Sequence, residues 1–145
     1  MLQIRSFEFA DQSRVIDLWD ACGLLRPWND PVLDILRKQS VGADLFLVGE
    51  LDHRIVAAVM GGYDGHRGWM NYLAVCPLQR RRGLAEQLVT ALEKRLIAVG
   101  CPKLNLQVRV DNDQVVQFYT NIGYKDDKVV SFGKRLISDE SGNDR

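Results

Sequence analysis

The chain has 145 residues, room for one domain and not for a catalytic domain with a separate regulatory one. Its 46% apolar and 26% charged residues exclude a disordered polymer, and 19 basic against 19 acidic residues leave a formal charge of zero, without the basic footprint of a general nucleic-acid binder. The cysteines stand at 22, 76 and 101 with no C-x-x-C pair, which excludes a regular disulfide framework and a zinc knuckle.

Residues 2–9 alternate through Leu2, Ile4, Phe7 and Phe9 and predict a first strand. Asp11 or Ser13 is the expected cap of a helix whose apolar stripe is Val15, Ile16, Leu18 and Trp19, ending near Gly23. The proline-rich LLRPWNDP, residues 24–31, is a loop. A short helix follows over Val32 to Gln39, with Asp30 as cap and Pro31 in its first turn. Residues 44–50 and 54–63 read as strands joined at Leu51-Asp52-His53-Arg54, and Gly61-Gly62 marks a bulge or a close backbone approach. After the turn DGHRG, residues 64–68, a strand runs from Trp69 to Cys76 and is stopped by Pro77.

Leu84, Leu88, Leu92, Leu96 and Val99 recur at intervals of four and three, predicting a helix over about 81–99 that Gly100 ends. Residues 104–110 alternate as a strand, Asp111-Asn112-Asp113 caps a helix through about 121, and the chain to Ile137 reads as one or two further strands. The domain therefore spans 1–137, followed by a polar tail over 138–145. The element order is that of a single α/β (α+β) domain with a mixed central sheet. No apolar run approaches the length of a membrane helix, and the opening residues lack the apolar stretch of a signal peptide. Reduced thiols make the cytoplasm the expected compartment.

The informative segment is LAVCPLQRRRGLAEQLV, residues 73–89. A strand ends at a proline, a basic turn with one glycine follows, and a long helix begins. The first-turn N–H groups of a helix have no intrahelical partners, and with the helix dipole they form an anion site. Gly83 admits close backbone approach, Ala85 keeps the next turn small, and Arg80, Arg81 and Arg82 add charge. The plain alternative is a solvated surface turn. The spacing fits neither a dinucleotide fingerprint nor a P-loop, since Gly133-Lys134 is followed by Arg135.

Arg80-Arg81-Arg82-Gly83-Leu84-Ala85 resembles motif A of the GNAT N-acetyltransferases, (Gln/Arg)-x-x-Gly-x-(Gly/Ala). The preceding Leu73-Ala74-Val75-Cys76-Pro77 resembles the family's apolar strand and proline, and Asn112-Asp113, Phe118-Tyr119 and Gly123-Tyr124 resemble its second motif. The likeness covers about residues 2–137. Within the family, LLRPWNDP and GGYDGHRG are similar to the bacterial YpeA-like acetyltransferases.

The resemblance implies a GNAT fold with splayed strands flanked by helices, acetyl-CoA as co-substrate, no metal, and transfer of acetyl to a primary amine by direct attack in a ternary complex. It implies that backbone N–H groups around Arg81, Arg82, Gly83, Leu84 and Ala85, with Arg80 beside them, cradle the pyrophosphate. Pantetheine would pair with the strand edge at Leu73, Ala74 and Val75 like an added strand. The 104–110 strand would splay away to admit it, an N–H on the 70–75 strand would polarise the thioester carbonyl, and Asn112 would bond the pantetheine arm or cap its helix. Tyr119 is the implied general acid for the departing thiolate, a phenol with an ordinary pKa of about 10. The family also pairs through its C-terminal strands, so a homodimer is compatible with the likeness.

Two positions depart from the pattern. Where family members carry a catalytic Glu or His before motif A, this chain has Trp69 and Asn71, and neither is a base at neutral pH. Asp64, His66, Asp30 and Glu50 are the nearest replacements, and each also has a structural reading as turn, cap or solvated residue. Trp28, Asn29, Tyr63 and Tyr72 are candidates to wall the acceptor pocket, and Cys76 reads as a buried thiol. The missing carboxylate favours a second reading, a non-catalytic acetyl-CoA sensor or interaction module. Retention of Tyr119 opposes it, since a sensor needs no proton donor.

Overall fold

A computed structural model describes residues 1–140 of the chain. Five strands lie in the order β1 (Gln3–Ser6), β2 (Phe46–Leu51), β3 (Arg54–Tyr63), β4 (Gly68–Val75) and β5 (Leu104–Asn105). The first four pair antiparallel, and β5 joins β4 parallel. Side chains alternate across the sheet and build a core on each side. Phe46, Val48, Ala58 and Ala74 pack on one face with Trp19 of α1 (Gln12–Ala21) and Ile35 of α2 (Pro31–Val41). Leu47, Ala57, Val59 and Met70 pack on the other with α3 (Leu84–Ala98) and with Tyr119 of α4 (Asp113–Asn121).

The β2–β3 hairpin turns through Asp52 and His53, both with positive φ, as a two-residue hairpin turn requires. Gly61 is a close approach and not a bulge: a Cβ there would stand 2.5 Å from Leu92 Cδ1 and 2.7 Å from the Leu45 carbonyl oxygen. The bulge lies further along the same pair, on β4 opposite the stretch from Ala58 to Met60. Ala58 pairs with Ala74 and Met60 with Asn71, so three steps on β4 oppose two on β3.

Several expected boundaries move. The first strand ends at Ser6, because Phe7 turns into the core and residues Phe9–Asp11 form a 3-10 turn. Asp11 does not cap α1 with its side chain. Its buried carboxylate instead accepts from Arg5 at 2.8 and 2.9 Å, from Arg14 at 2.8 Å and from the Glu8 N–H at 2.8 Å. The third helix begins at Leu84 and not near 81, since Arg81 and Gly83 both take left-handed backbone. Only Leu104–Asn105 of the expected 104–110 strand joins the ladder.

Residues 125–137 form no strand. The alternation there has no backbone ladder to join. The segment is tied by side chains, Lys103 to Asp127 at 2.7 Å and Gln107 to Ser131, while Val129, Val130 and Phe132 face outward. Further on, Arg135 donates to the Trp28 carbonyl at 2.7 Å and to Asn29 Oδ1 at 2.8 Å. Asp139, within the stretch expected as a polar tail, is 2% exposed and accepts both Arg37 terminal nitrogens at 2.7 and 2.9 Å. Residues 141–145 of that tail lie outside the described residues.

Candidate active site

The anion-binding segment is assembled at the end of β4. Val75 closes the strand, Pro77–Gln79 make a 3-10 turn, and α3 starts after Gly83. Gly83 is the helix N-cap, with φ of +71° and no side chain capping the first turn. Only glycine takes that backbone without strain. Nothing stands within 4 Å of where its Cβ would be, so the head of α3 is open. Arg81, also left-handed, brings a second turn of backbone to the same place, and alternating conformations of this kind form anion-accepting concavities. Arg80, Arg81 and Arg82 are exposed around it, with Arg82 anchored to the Gln79 side-chain oxygen. An oxyanion-rich group fits these donors: free first-turn N–H groups and the positive helix end meet at Gly83, with three exposed arginines in the turn before it.

The strand beside it is also open. The β4–β5 ladder consists of Gly68 with Leu104 and Trp69 with Asn105, and among the described residues nothing pairs with β4 on that side beyond Trp69. Leu73, Ala74 and Val75 therefore have an unladdered edge toward the splay. The Tyr72–Leu73 bulge lies in the same stretch, where Tyr72 has φ of +53° and the ladder is interrupted.

Tyr119 is 8% exposed and shares a cluster with Leu73 and Val75 of β4. Phe118 and Tyr124 meet its ring edge-on at 5.0 and 5.6 Å. Of the four tyrosines it alone has a hydroxyl with no hydrogen-bond partner among the described residues. Tyr63 donates to the Gly65 carbonyl, Tyr72 to Asp34 and Tyr124 to Glu93. Burial pushes the Tyr119 phenol up to about 12, so it is protonated throughout the neutral range. The Asn112 side-chain oxygen accepts from the Val115 N–H at 3.2 Å and caps α4.

The three carboxylates among the four replacement bases are all engaged. Asp64 accepts from the His66 and Arg67 N–H groups at 2.8 and 2.7 Å, which hold its carboxyl below the usual range. His66 is exposed in that turn. Asp30 caps α2 through Val32 and Leu33, and Glu50 accepts from Arg5 at 2.6 Å. The sulfur of Cys22 donates to the Val75 carbonyl at 3.2 Å, and Cys76 packs against the same core.

Sequence reasoning missed Asp34. Its Oδ2 accepts the Tyr72 hydroxyl at 2.6 Å, and the Tyr72 ring stacks on Trp19 with centroids 3.9 Å apart. Burial and the Asp34 carboxylate both raise the Tyr72 pKa. Nothing local marks a pair separated by 38 residues, although Asp34 and Lys38 are visibly four apart on one helix.

A bulged β4, a parallel β5 that pairs with it over only two residues and an open helix head thus meet at one end of the sheet. The chain matches the family model described as Acetyltransferase (GNAT) family over residues 12–124. It is 53% identical over 140 residues to "Acetyltransferase SG1711" of Sodalis glossinidius (strain morsitans), covering 96% of this chain and 99% of that protein. It is 52% identical over 139 residues to "Acetyltransferase YE1169" of Yersinia enterocolitica, again covering 96% and 99%. The fold is shared with the PaiA N-acetyltransferase of Thermoplasma acidophilum in complex with coenzyme A, at a TM-score of 0.74, 17% identity and coverage of 86% and 90%. The chain belongs to the GNAT acetyltransferase family, and it is an acyltransferase enzyme. No helix among the described residues is long and apolar enough to cross a membrane.

Proposed function

We propose that this enzyme moves acetyl from acetyl-CoA to a primary amine by direct attack, with both substrates bound together. The N–H groups around Arg81 to Ala85 hold the pyrophosphate, helped by Arg80 and Arg82. The unladdered edge at Leu73, Ala74 and Val75 takes the pantetheine as an added strand. Asn112 acts as the cap of α4 and sets the helix that carries Tyr119. An N–H freed by the β4 bulge donates to the thioester carbonyl as negative charge develops there, and one such donor is worth about 3 kcal/mol.

The amine nitrogen bonds to the carbonyl carbon and the carbon–sulfur bond breaks. Tyr119 gives its proton to the departing sulfur and regains one from the new nitrogen, so one proton leaves to solvent for each ammonium acetylated. The single observation that carries this reading is Tyr119, a buried ring whose hydroxyl has no protein hydrogen-bond partner among the described residues, beside the open edge of β4. Thiol release from acetyl-CoA, followed with an amine panel, tests it. Amine-dependent release that Tyr119→Phe abolishes supports direct transfer. Acetyl-CoA binding without turnover of any amine would favour the sensor reading, for which Trp69 and Asn71, in place of a carboxylate or histidine, are the supporting residues. A cytoplasmic location and a homodimer belong to the same proposal as family-like expectations.

A further inference from the structure

The α1–α2 face of the sheet carries a charge pair that the cofactor site does not use. Asp34 and Lys38 are four apart on α2, so they stand on one side of the helix, roughly 6 Å between Cβ atoms. Both reach the β3–β4 surface. Asp34 is fixed by the Tyr72 hydroxyl, and Tyr72 belongs to the β4 bulge beside the proposed thioester position. One Asp34 oxygen accepts that bond; the other is 4.0 Å from Arg37, which is itself held by Asp139. The carboxylate keeps accepting capacity and is 22% exposed.

Lys38 differs from its cationic neighbours. Arg37 and Arg135 both face Asp139, whereas Lys38 has no ion pair or hydrogen bond among the described residues. It is half-buried, and burial lowers its pKa. Its ammonium lies over Gly62, where a Cβ would be 2.8 Å from Nζ. A half-buried cation without a partner is costly unless an anion meets it. Register places Trp69 opposite Gly62, where Lys38 lies, and Asn71 opposite Met60, one position before the Tyr72 that holds Asp34, so both residues belong to this same face. Trp69 is 39% exposed and Asn71 is exposed. Tyr119 works from the opposite face, which leaves this one for the incoming nitrogen.

We infer that this face binds the acceptor, and that the acceptor is an amino-acid-like primary amine bearing a carboxylate: Asp34 receives its ammonium and Lys38 its carboxylate. The inference rests on the direct-transfer reading above. Trp69 and Asn71 form the floor between the charges. The positions where relatives place an acidic or histidine side chain become binding surface, and the carboxylate comes from α2.

The experiment is a comparison of L-amino acids, their carboxamides and their decarboxylated amines, measured by thiol release from acetyl-CoA. The expected result is a kcat/KM at least ten-fold higher for the acids than for the carboxamides. Lys38→Met brings that ratio close to one by raising KM for the acids, and Lys38→Arg restores it. Asp34→Asn lowers kcat/KM for all three classes. Equal use of acids and carboxamides by wild type overturns the inference, and so does an equal loss for both in Lys38→Met. Wild-type titration with acetyl-CoA separates the two readings. Tight cofactor binding with no carboxylate preference sinks the acceptor assignment alone, while absent cofactor binding sinks the transferase site and the inference with it.

Discussion

Tyr119 and Tyr124 meet edge-on with ring centroids 5.6 Å apart, yet they differ in what their hydroxyls do. Tyr124 donates to Glu93 at 2.6 Å and fastens α4's end to α3. Tyr119 has no such bond, although it is the more buried of the two. A hydroxyl with no protein partner ties down no neighbouring element. It is a good proton donor for a group that arrives with the substrate. Tyr119→Phe should lower kcat by about 10²–10⁴, the usual contribution of general acid catalysis, and leave the acetyl-CoA Kd nearly unchanged. Tyr124→Phe should instead lower the melting temperature and change kcat little. Steady-state kinetics and thermal unfolding of the two variants check the contrast.

The pH dependence follows from the direction of the same shift. An acid must be protonated to act, so its contribution is present below its pKa and lost as pH rises through it. Burial moves that loss for Tyr119 to about 12. The kcat profile should show no falling limb between about pH 7 and 10, where an ordinary phenol begins to ionise. A limb near pH 9 in wild type that disappears in Tyr119→Phe would keep Tyr119 as the acid and overturn its raised pKa, whereas the same kcat and the same profile in both proteins would contradict the assignment.

Asp11 joins β1 to α1 by accepting from Arg5, Arg14 and the Glu8 N–H, and Arg5 hydrogen bonding is the main reason its carboxyl lies below the usual range. A carboxylate with a lowered folded pKa stabilises above its unfolded value, about 3.9, and that stabilisation is lost as pH falls through the folded value. Asp11→Asn should cost about 2–3 kcal/mol at neutral pH, at the modest end for a buried pair because Arg5 and Arg14 reach water. The difference in unfolding free energy between wild type and variant should shrink below about pH 4. Urea melts across pH read this directly.

Gly61 is where β3 meets both α3 and the chain entering β2. A methyl there would be 2.5 Å from Leu92 Cδ1, which can move, and 2.7 Å from the Leu45 oxygen, which accepts the Gly61 N–H at 3.0 Å and cannot. Gly61→Ala should destabilise by about 1–3 kcal/mol through overpacking. At about 2–4 °C per kcal/mol for a chain of this length, thermal unfolding resolves it.

Much of the frame is visible in local pattern. The leucine spacing of α3, the Asp30-Pro31 start of α2 and the Asp52-His53 turn each reflect short-range rules, and each is found near its expected place. The helix head at Gly83 was legible because one glycine, one proline and three arginines mark it within seven residues. The bulge was not, since a register shift depends on the partner strand. Nor was Asp34, which gains meaning only through Tyr72, 38 residues away. Residues 125–137 show the converse: alternation was present, but no neighbouring strand offers a ladder. Asp139 looked like tail because its polarity is satisfied by Arg37 on a helix distant in sequence.

The central claim is that the open head of α3 binds the pyrophosphate of acetyl-CoA. Isothermal titration of wild type and Gly83→Glu with acetyl-CoA tests it most directly. Gly83 has open space around its missing side chain, so the substitution should cost only about 1–2 kcal/mol of backbone strain and leave the protein folded. It nevertheless sets bulk and negative charge against the phosphates. The account predicts a Kd for wild type of about micromolar order, some −8 kcal/mol, and a loss of at least a hundred-fold in the variant. Equal binding by both proteins, or none by wild type, would contradict it.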